Sequence, residues 1–189
     1  VKGVIKDEML EIKRRFADKR RTDISDEARD LDIEDMIADE DMVVTITRAG
    51  YVKRLPVATY RQQKRGGKGM SGVKLKENDF VEQLFVASTH DYMMFFTNKG
   101  KVYRLKVHQL PLGSRQARGT FIGNLLPLEQ GERVATVINT REFPDDEFLL
   151  FATSQGMIKK TAFSAYKNVR SSGLIAINLK DGDELIAVR

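Results

Sequence analysis

Basic side chains recur at fixed distances from glycines along most of this chain. Lys53 and Arg54 follow Gly50, Lys101, Arg104 and Lys106 follow Gly100 with Tyr103 among them, and Lys159 and Lys160 follow Gly156. The loops that come next add Arg61, Lys64, Arg65 and Lys68, then Arg115 and Arg118, then Lys167 and Arg170. Cations repeated at a common place in successive units would form a stripe along a perimeter, and such a stripe suits the successive phosphates of a bent duplex. Its contacts would go to the backbone and read shape, because nothing here resembles a recognition helix for base edges. The plainer reading is that surface lysines keep a β domain soluble and protect strand edges. Recurrence of the positions favours the first.

The loop from Tyr60 to Gly72, YRQQKRGGKGMSG, holds four glycines and four basic residues in thirteen positions. Gly66, Gly67 and Gly69 permit turns and close backbone approach, while Lys64, Arg65 and Lys68 offer charge to a phosphate backbone. The order GxxxxGK[ST] of a nucleotide-binding P-loop is missing and no helical pattern follows. A flexible basic tip without a specific role is the alternative.

Other chemistry is thinly supplied. The chain has no Cys and only His90 and His108, which removes disulfides, thiolate metal sites and Cys nucleophiles and leaves too few histidines for a zinc cluster. Asp145, Asp146 and Glu147 are adjacent carboxylates at a turn, more simply solvated than metal-binding. Tyr51, Tyr60, Tyr92, Tyr103 and Tyr166 lie in or beside repeated β elements and read as packing or rim residues, with no nucleophilic role. No run of 18 apolar residues occurs and the start, VKGVIKDEML, is charged where a signal peptide is apolar, so a soluble intracellular protein is expected.

These residues must be positioned by 189 residues, room for one main core. Ile5, Met9, Ile12 and Phe16 share one face of a helix predicted over Lys2 to Arg20, which must dock, pair with a second copy, or end a longer helical element. The chain opens without Met, cap or turn, and a piece of a longer protein is expected. Residues 22–41 read as an acidic linker, with Leu31, Ile33, Met36 and Ile37 able to anchor a short helix capped by Asp30 or Asp32. The formal charge of +5 is split accordingly: residues 1–40 hold 9 basic and 13 acidic side chains, and residues 41–189 hold 23 and 14. The later part carries the positive field.

From Met42 the period becomes two and the residues β-branched or aromatic. Strands are predicted at Met42–Thr47, Tyr51–Leu55, Phe80–Ser88, Tyr92–Thr97, Lys101–Lys106, Arg133–Asn139, Phe148–Thr153, Met157–Thr161 and Glu184–Arg189. Arg48-Ala49-Gly50, Asn98-Lys99-Gly100 and Ser154-Gln155-Gly156 close three hairpins of similar sequence, with glycines 50 and 56 residues apart. Gly69, Gly119 and Gly173 recur in step with them. A period near fifty with about four strands per unit describes a propeller-like repeat. The final strand, Glu184–Arg189, either closes the first unit or opens a fourth, and the second is preferred.

Three phrases carry a family resemblance. The heptapeptide Gln63-Lys64-Arg65-Gly66-Gly67-Lys68-Gly69 is similar to the gyrase-A box, whose usual second residue, arginine, is here a lysine that keeps the charge. Phe16-Ala17-Asp18-Lys19-Arg20-Arg21-Thr22 resembles the stretch that leaves the coiled-coil arm of the A subunit of bacterial DNA gyrase. Asn124-Leu125-Leu126-Pro127-Leu128-Glu129 is similar to a phrase of that family's second blade. The resemblance covers essentially the whole chain. The A subunit of topoisomerase IV shares the architecture but typically has a degenerate box.

The resemblance implies a mainly β chain, a partial β-pinwheel of four-stranded antiparallel blades behind an amphipathic helix. The arm would end over 1–21, the linker span 22–41, and the repeats lie at 42–79, 80–132 and 133–183 with a strand at 184–189. It implies that the rim wraps double-stranded DNA in a positive sense, so that ATP-driven strand passage introduces negative supercoils, with Gln63 to Gly69 needed for wrapping and the cations above as companions. The family's catalytic tyrosine lies upstream, and ATP and magnesium act through the B subunit of gyrase. This region would therefore be non-catalytic and bind no cofactor of its own. It would work with that B subunit, and with a second A subunit, in the bacterial cytoplasm, at the nucleoid and away from membranes. Other readings are the C-terminal domain of the topoisomerase IV A subunit, a propeller-like protein-interaction module and, more remotely, an autonomous enzyme.

Overall fold

The computed structural model describes residues 2–18, 33–60 and 79–189. The chain divides into two bodies, Val1–Asp32 and Ile33–Arg189. The first contains helix α1, Lys2–Phe16, with Lys13, Arg14 and Arg15 in its last turn, where cations complement the helix dipole. Ile5, Met9, Ile12 and Phe16 fall on one face as their spacing requires, and all four are exposed. The helix ends four residues before the expected Arg20, which lies with Asp30 and Asp32 outside the described residues.

The second body opens with a short 3-10 turn, Ile33–Met36, and continues in strands. In chain order these are β1 (Asp41–Thr47), β2 (Tyr51–Pro56), β3 (Val81–Ser88), β4 (Tyr92–Thr97), β5 (Lys101–Lys106), β6 (Thr120–Phe121), β7 (Val134–Thr140), β8 (Phe148–Thr153), β9 (Ile158–Ala162), β10 (Leu174–Ile175) and β11 (Leu185–Val188). They form three antiparallel sheets, ordered β3-β1-β2-β6, β10-β5-β4-β7 and β11-β8-β9.

Each sheet is a hairpin plus the strand that follows it, so the unit boundaries expected at 79/80, 132/133 and 183/184 cut through hydrogen-bonded sheets. The last strand belongs to the sheet behind it: β11 pairs with β8, Val188 opposite Phe151, and joins a third sheet that has three strands among the described residues. The sequence pattern missed two strands of only two residues, β6 and β10. Each comes from the repeat ahead and adds to the sheet behind, Tyr51 pairing with Phe121 and Val102 with Leu174. Neighbouring sheets are thereby interlocked.

The hairpin turns repeat in detail. Gly50, Gly100 and Gly156 take φ of 81°, 75° and 82°, and each amide donates to the carbonyl of Thr47, Thr97 or Thr153. At Gly119, ahead of β6, a Cβ would stand 2.5 Å from the Val52 carbonyl oxygen. At Gly173, ahead of β10, a Cβ would stand 2.7 Å from the Tyr103 ring, so a side chain is excluded at both places. One carboxylate per repeat also ties down a turn: Asp79 Oδ1 accepts from Ala49 N at 3.0 Å, Glu132 Oε1 from Thr97 Oγ1 at 2.6 Å, and Asp183 Oδ1 from Gln155 N at 2.9 Å.

The central strand β4 explains the packing. Met93 and Phe95 face the first sheet with Val44, Ile46, Val52, Tyr103 and Leu126 around them, whereas Met94 and Phe96 face the third with Val102, Phe151, Phe163 and Tyr166. A strand covered on both faces reads as an unbroken apolar run, here YMMFFT. Fully burying each such side chain stabilises by roughly 1.5–3 kcal/mol.

Candidate nucleic-acid interface

The recurring cations occupy two registers of the second hairpin strand. Three residues after the hairpin glycine stand Lys53, Tyr103 and Lys159. Four residues after it stand Arg54, Arg104 and Lys160, paired across the hairpin with Val44, Met94 and Leu150. Adjacent strand residues point to opposite faces, so the two registers meet different surroundings.

Lys53 was expected on the rim, and the structure corrects this. It is 1% exposed, and its Nζ donates to the carbonyls of Ser114, Arg115 and Ala117 at 3.2, 2.7 and 2.8 Å. Burial holds its pKa below the usual lysine value. The ammonium replaces water for three carbonyls of an inter-blade loop. In the second repeat Tyr103 fills this place, its hydroxyl reaching Pro127 O at 3.2 Å, with burial raising its pKa. In the third, Lys159 is exposed and donates to Ala176 O at 2.6 Å.

Arg54 is also committed inward. Its Nε and one terminal nitrogen donate to Leu110 O at 2.8 Å and His108 O at 3.1 Å, and burial lowers its pKa. Arg104 donates to the carbonyl of Lys167 and lies 4.7 Å over the Tyr92 ring. Lys160 stands exposed, 4.0 Å over Phe148. Arg54 and Arg104 thus grip carbonyls that the next repeat lays across them, whereas Lys160 meets the aromatic face of its own hairpin.

Of the remaining expected residues, Lys101 pairs with Glu129 at 2.5 Å and Lys106 with Glu34 at 2.8 Å. Glu129 thereby raises the Lys101 pKa. Arg118 lies 3.6 Å over the Tyr51 ring, and the Arg115 carbonyl receives Lys53. Lys167 and Arg170 are exposed. Arg61 and the heptapeptide Gln63, Lys64, Arg65, Gly66, Gly67, Lys68 and Gly69 lie outside the described residues.

Sequence reasoning missed Arg141 and the role of His90. Arg141 lies in the segment after β7 and joins Arg104, Lys167, Tyr92 and Phe143 around a groove of about 480 Å³. A second groove of about 400 Å³ shares Tyr92 and Arg104 and adds Lys106, Gln109 and Glu34. Cations over aromatic floors along open grooves suit phosphates and stacked bases. The only signal for Arg141 was its sign, since it lies outside the repeated register. His90 and His108 belong to no motif in the sequence, yet their ring centroids come within 6.4 Å of one another. Asp145, Asp146 and Glu147 stay apart from any such cluster, and among the described residues no group of three or more His, Asp or Glu gathers as for a metal.

Comparison with known proteins now decides the family. The family described as "DNA gyrase C-terminal domain, beta-propeller" matches residues 41–88, 91–141 and 147–189, the three hairpins each with its following strand. The chain belongs to this family. The A subunit of DNA gyrase from Clostridium acetobutylicum is 50% identical over 187 residues, 99% of this chain and 22% of the relative, and that from Neisseria gonorrhoeae is 49% identical over 97% and 20%. The chain thus spans about one fifth of the length of these relatives. Among solved structures, the C-terminal domain of a DNA topoisomerase IV superposes with a TM-score of 0.70 at 34% identity, covering 82% of this chain and 46% of that one. A DNA gyrase A C-terminal domain superposes with a TM-score of 0.59 at 30% identity, covering 79% and 47%. The chain is of the C-terminal-domain type found in type IIA topoisomerases, with propeller-like repeated sheets. Among the described residues no helix is long and apolar enough to cross a membrane.

Proposed function

We propose that the body from Ile33 to Arg189 binds duplex DNA along its rim and bends it. The observation that carries this is the pair of grooves meeting at Tyr92 and Arg104, where Arg104, Arg141 and Lys167 stand around open space above aromatic rings. Exposed Lys160 and Arg170 extend the positive surface on the third blade. The heptapeptide Gln63–Gly69 is the wrapping box on this reading, its lysines and arginine meeting phosphate at the first blade. The chain serves a larger enzyme in which a second copy of the A subunit, together with the B subunit, takes part. ATP and magnesium chemistry belongs to that assembly.

Duplex binding is tested by fluorescence anisotropy across a salt series. A linear fall of log affinity with log salt, with little preference among sequences, is expected. Binding that is absent at low salt, or indifferent to salt, would overturn the proposal. Within the family, the intact heptapeptide supports the gyrase kind and the TM-score of 0.70 to a topoisomerase IV domain supports the other. Relaxing a plasmid in the presence of the chain separates them: a positive linking-number change retained after deproteinisation marks gyrase-type wrapping, and binding without such a change marks the topoisomerase IV type.

A further inference from the structure

The acidic segment that leads into β1 is bonded to the cations of the second blade. Glu34 Oε1 accepts from Lys106 Nζ at 2.8 Å and meets His90 Nδ1 at 3.1 Å. His90 Nε2 faces the Ile37 carbonyl at 2.9 Å. With an acceptor at each ring nitrogen, both must carry protons, so the arrangement calls for an imidazolium. Asp39 Oδ2 accepts from Arg141 at 2.9 Å, and its other oxygen accepts the Ser88 hydroxyl. Thr89 fastens the backbone on either side of Asp39, donating to Ala38 O at 2.7 Å and accepting from Glu40 N at 3.2 Å.

Glu34 stands in one rim groove, and Asp39 bonds a cation that lines the other. Glu34 lines the groove with Arg104 and Lys106, and Arg141 lines its neighbour. We propose that residues 33–41 form an autoinhibitory strap, whose Glu34 and Asp39 occupy in cis a phosphate site made by Lys106, His90 and Arg141. The ligand it excludes is a phosphate of the duplex, and that identity rests on the rim reading above. A phosphate oxygen accepts the same charge-assisted hydrogen bonds as a carboxylate, so the two compete for one set of donors. The Asp39–Arg141 pair is half exposed, its side chains 49% and 61% accessible, and opens at little cost. Glu34 and Lys106, at 31% and 16%, form the firmer end.

The test uses the whole 189-residue chain and its isosteric variants Glu34→Gln, Asp39→Asn and the double variant, with Asp35→Asn as a control for net charge. Asp35 is exposed on the same turn. Two probes are titrated: a duplex oligonucleotide across a salt series, and tripolyphosphate followed by the His90 imidazole resonances. The double variant is expected to bind duplex more tightly, with the gain over wild type growing about threefold per freed cation between about 200 and 50 mM salt. Asp35→Asn should leave the salt slope unchanged, and tripolyphosphate should shift the His90 resonances at lower concentration in the double variant. Equal affinity and slope for wild type and double variant, with thermal melts showing both folded, would overturn the strap, as would an equal gain from Asp35→Asn. If tripolyphosphate binding improves while no form binds duplex, the strap stands and the rim reading fails.

Discussion

Lys53 and Lys159 hold the same place in their repeats and live in different environments. The first is buried under the loop 114–117 with three carbonyl partners; the second is exposed and donates to the carbonyl of Ala176. Val102 and Ile158 repeat the contrast one position earlier, at 0% and 70% exposure. The strand sequences are alike, so the difference comes from what covers them. In the second sheet β10 lies along β5, whereas among the described residues β9 has no strand on that side. A repeated sequence position therefore specifies a hydrogen-bonding capacity, and the segment laid over it decides how many carbonyls use it and how deeply it is buried.

Substitutions that exploit the contrast should separate the sheets. Val102→Asp places a carboxylate in the second core and should cost about 4 kcal/mol or more, whereas Ile158→Asp should change stability by no more than about 0.5 kcal/mol in this chain. Urea denaturation of both measures the difference, and equal losses would break the comparison. Lys53→Met keeps the aliphatic stem but leaves the carbonyls of Ser114, Arg115 and Ala117 without their donor. A loss of about 3 kcal/mol is expected, seen as a Tm lower by roughly 9 °C. Lys159→Met, which gives up a carbonyl contact near solvent, should lose about 1 kcal/mol or less.

The pH dependence of the strap gives a smaller effect with a definite sign. Glu34 raises the pKa of His90 above the ordinary 6.5, helped by the Ile37 carbonyl and Asp39 and opposed by burial. His108 also faces the ring, Lys106 donates to the His90 carbonyl at 2.9 Å, and burial pushes His108 down, towards its neutral form. A folded-state pKa above the unfolded value means that the stabilisation is complete below about 6.5 and disappears as pH rises through the raised value. The Tm advantage of wild type over His90→Gln should accordingly shrink from pH 6 towards pH 8. An advantage that grows over this range would remove the imidazolium from the account. A comparably small change is expected for Lys160→Gln, which gives up an exposed cation over Phe148 and should cost about 0.5 kcal/mol by thermal melting.

The hairpins were legible because three signals coincide in them: an alternating apolar run, a turn ending in a glycine that needs positive φ, and recurrence near fifty residues. β6 and β10 were illegible, because two residues such as Thr120–Phe121 carry no period and become strands only when a preceding sheet supplies the partner. The same cause explains the site. Sequence located cations but not their partners, so Lys53 and Arg54 looked like Lys160 until the loops from the next repeat were laid over them. Glu34, in a segment read as linker, gave no sign that it would meet Lys106 across 72 positions. Arg141 was passed over because it breaks the repeat.

The proposal that exposed cations of the third blade serve DNA while buried Lys53 does not is tested most directly by log affinity for duplex against log salt. Wild type is compared with the triple variant Lys160→Gln, Lys167→Gln, Arg170→Gln and with Lys53→Met. The account predicts a slope shallower by about 2 to 3 for the triple variant, as fewer counterions are released, and an unchanged slope for Lys53→Met under conditions where it remains folded. A triple variant that keeps the wild-type slope, or a Lys53→Met variant that loses as much, would contradict it.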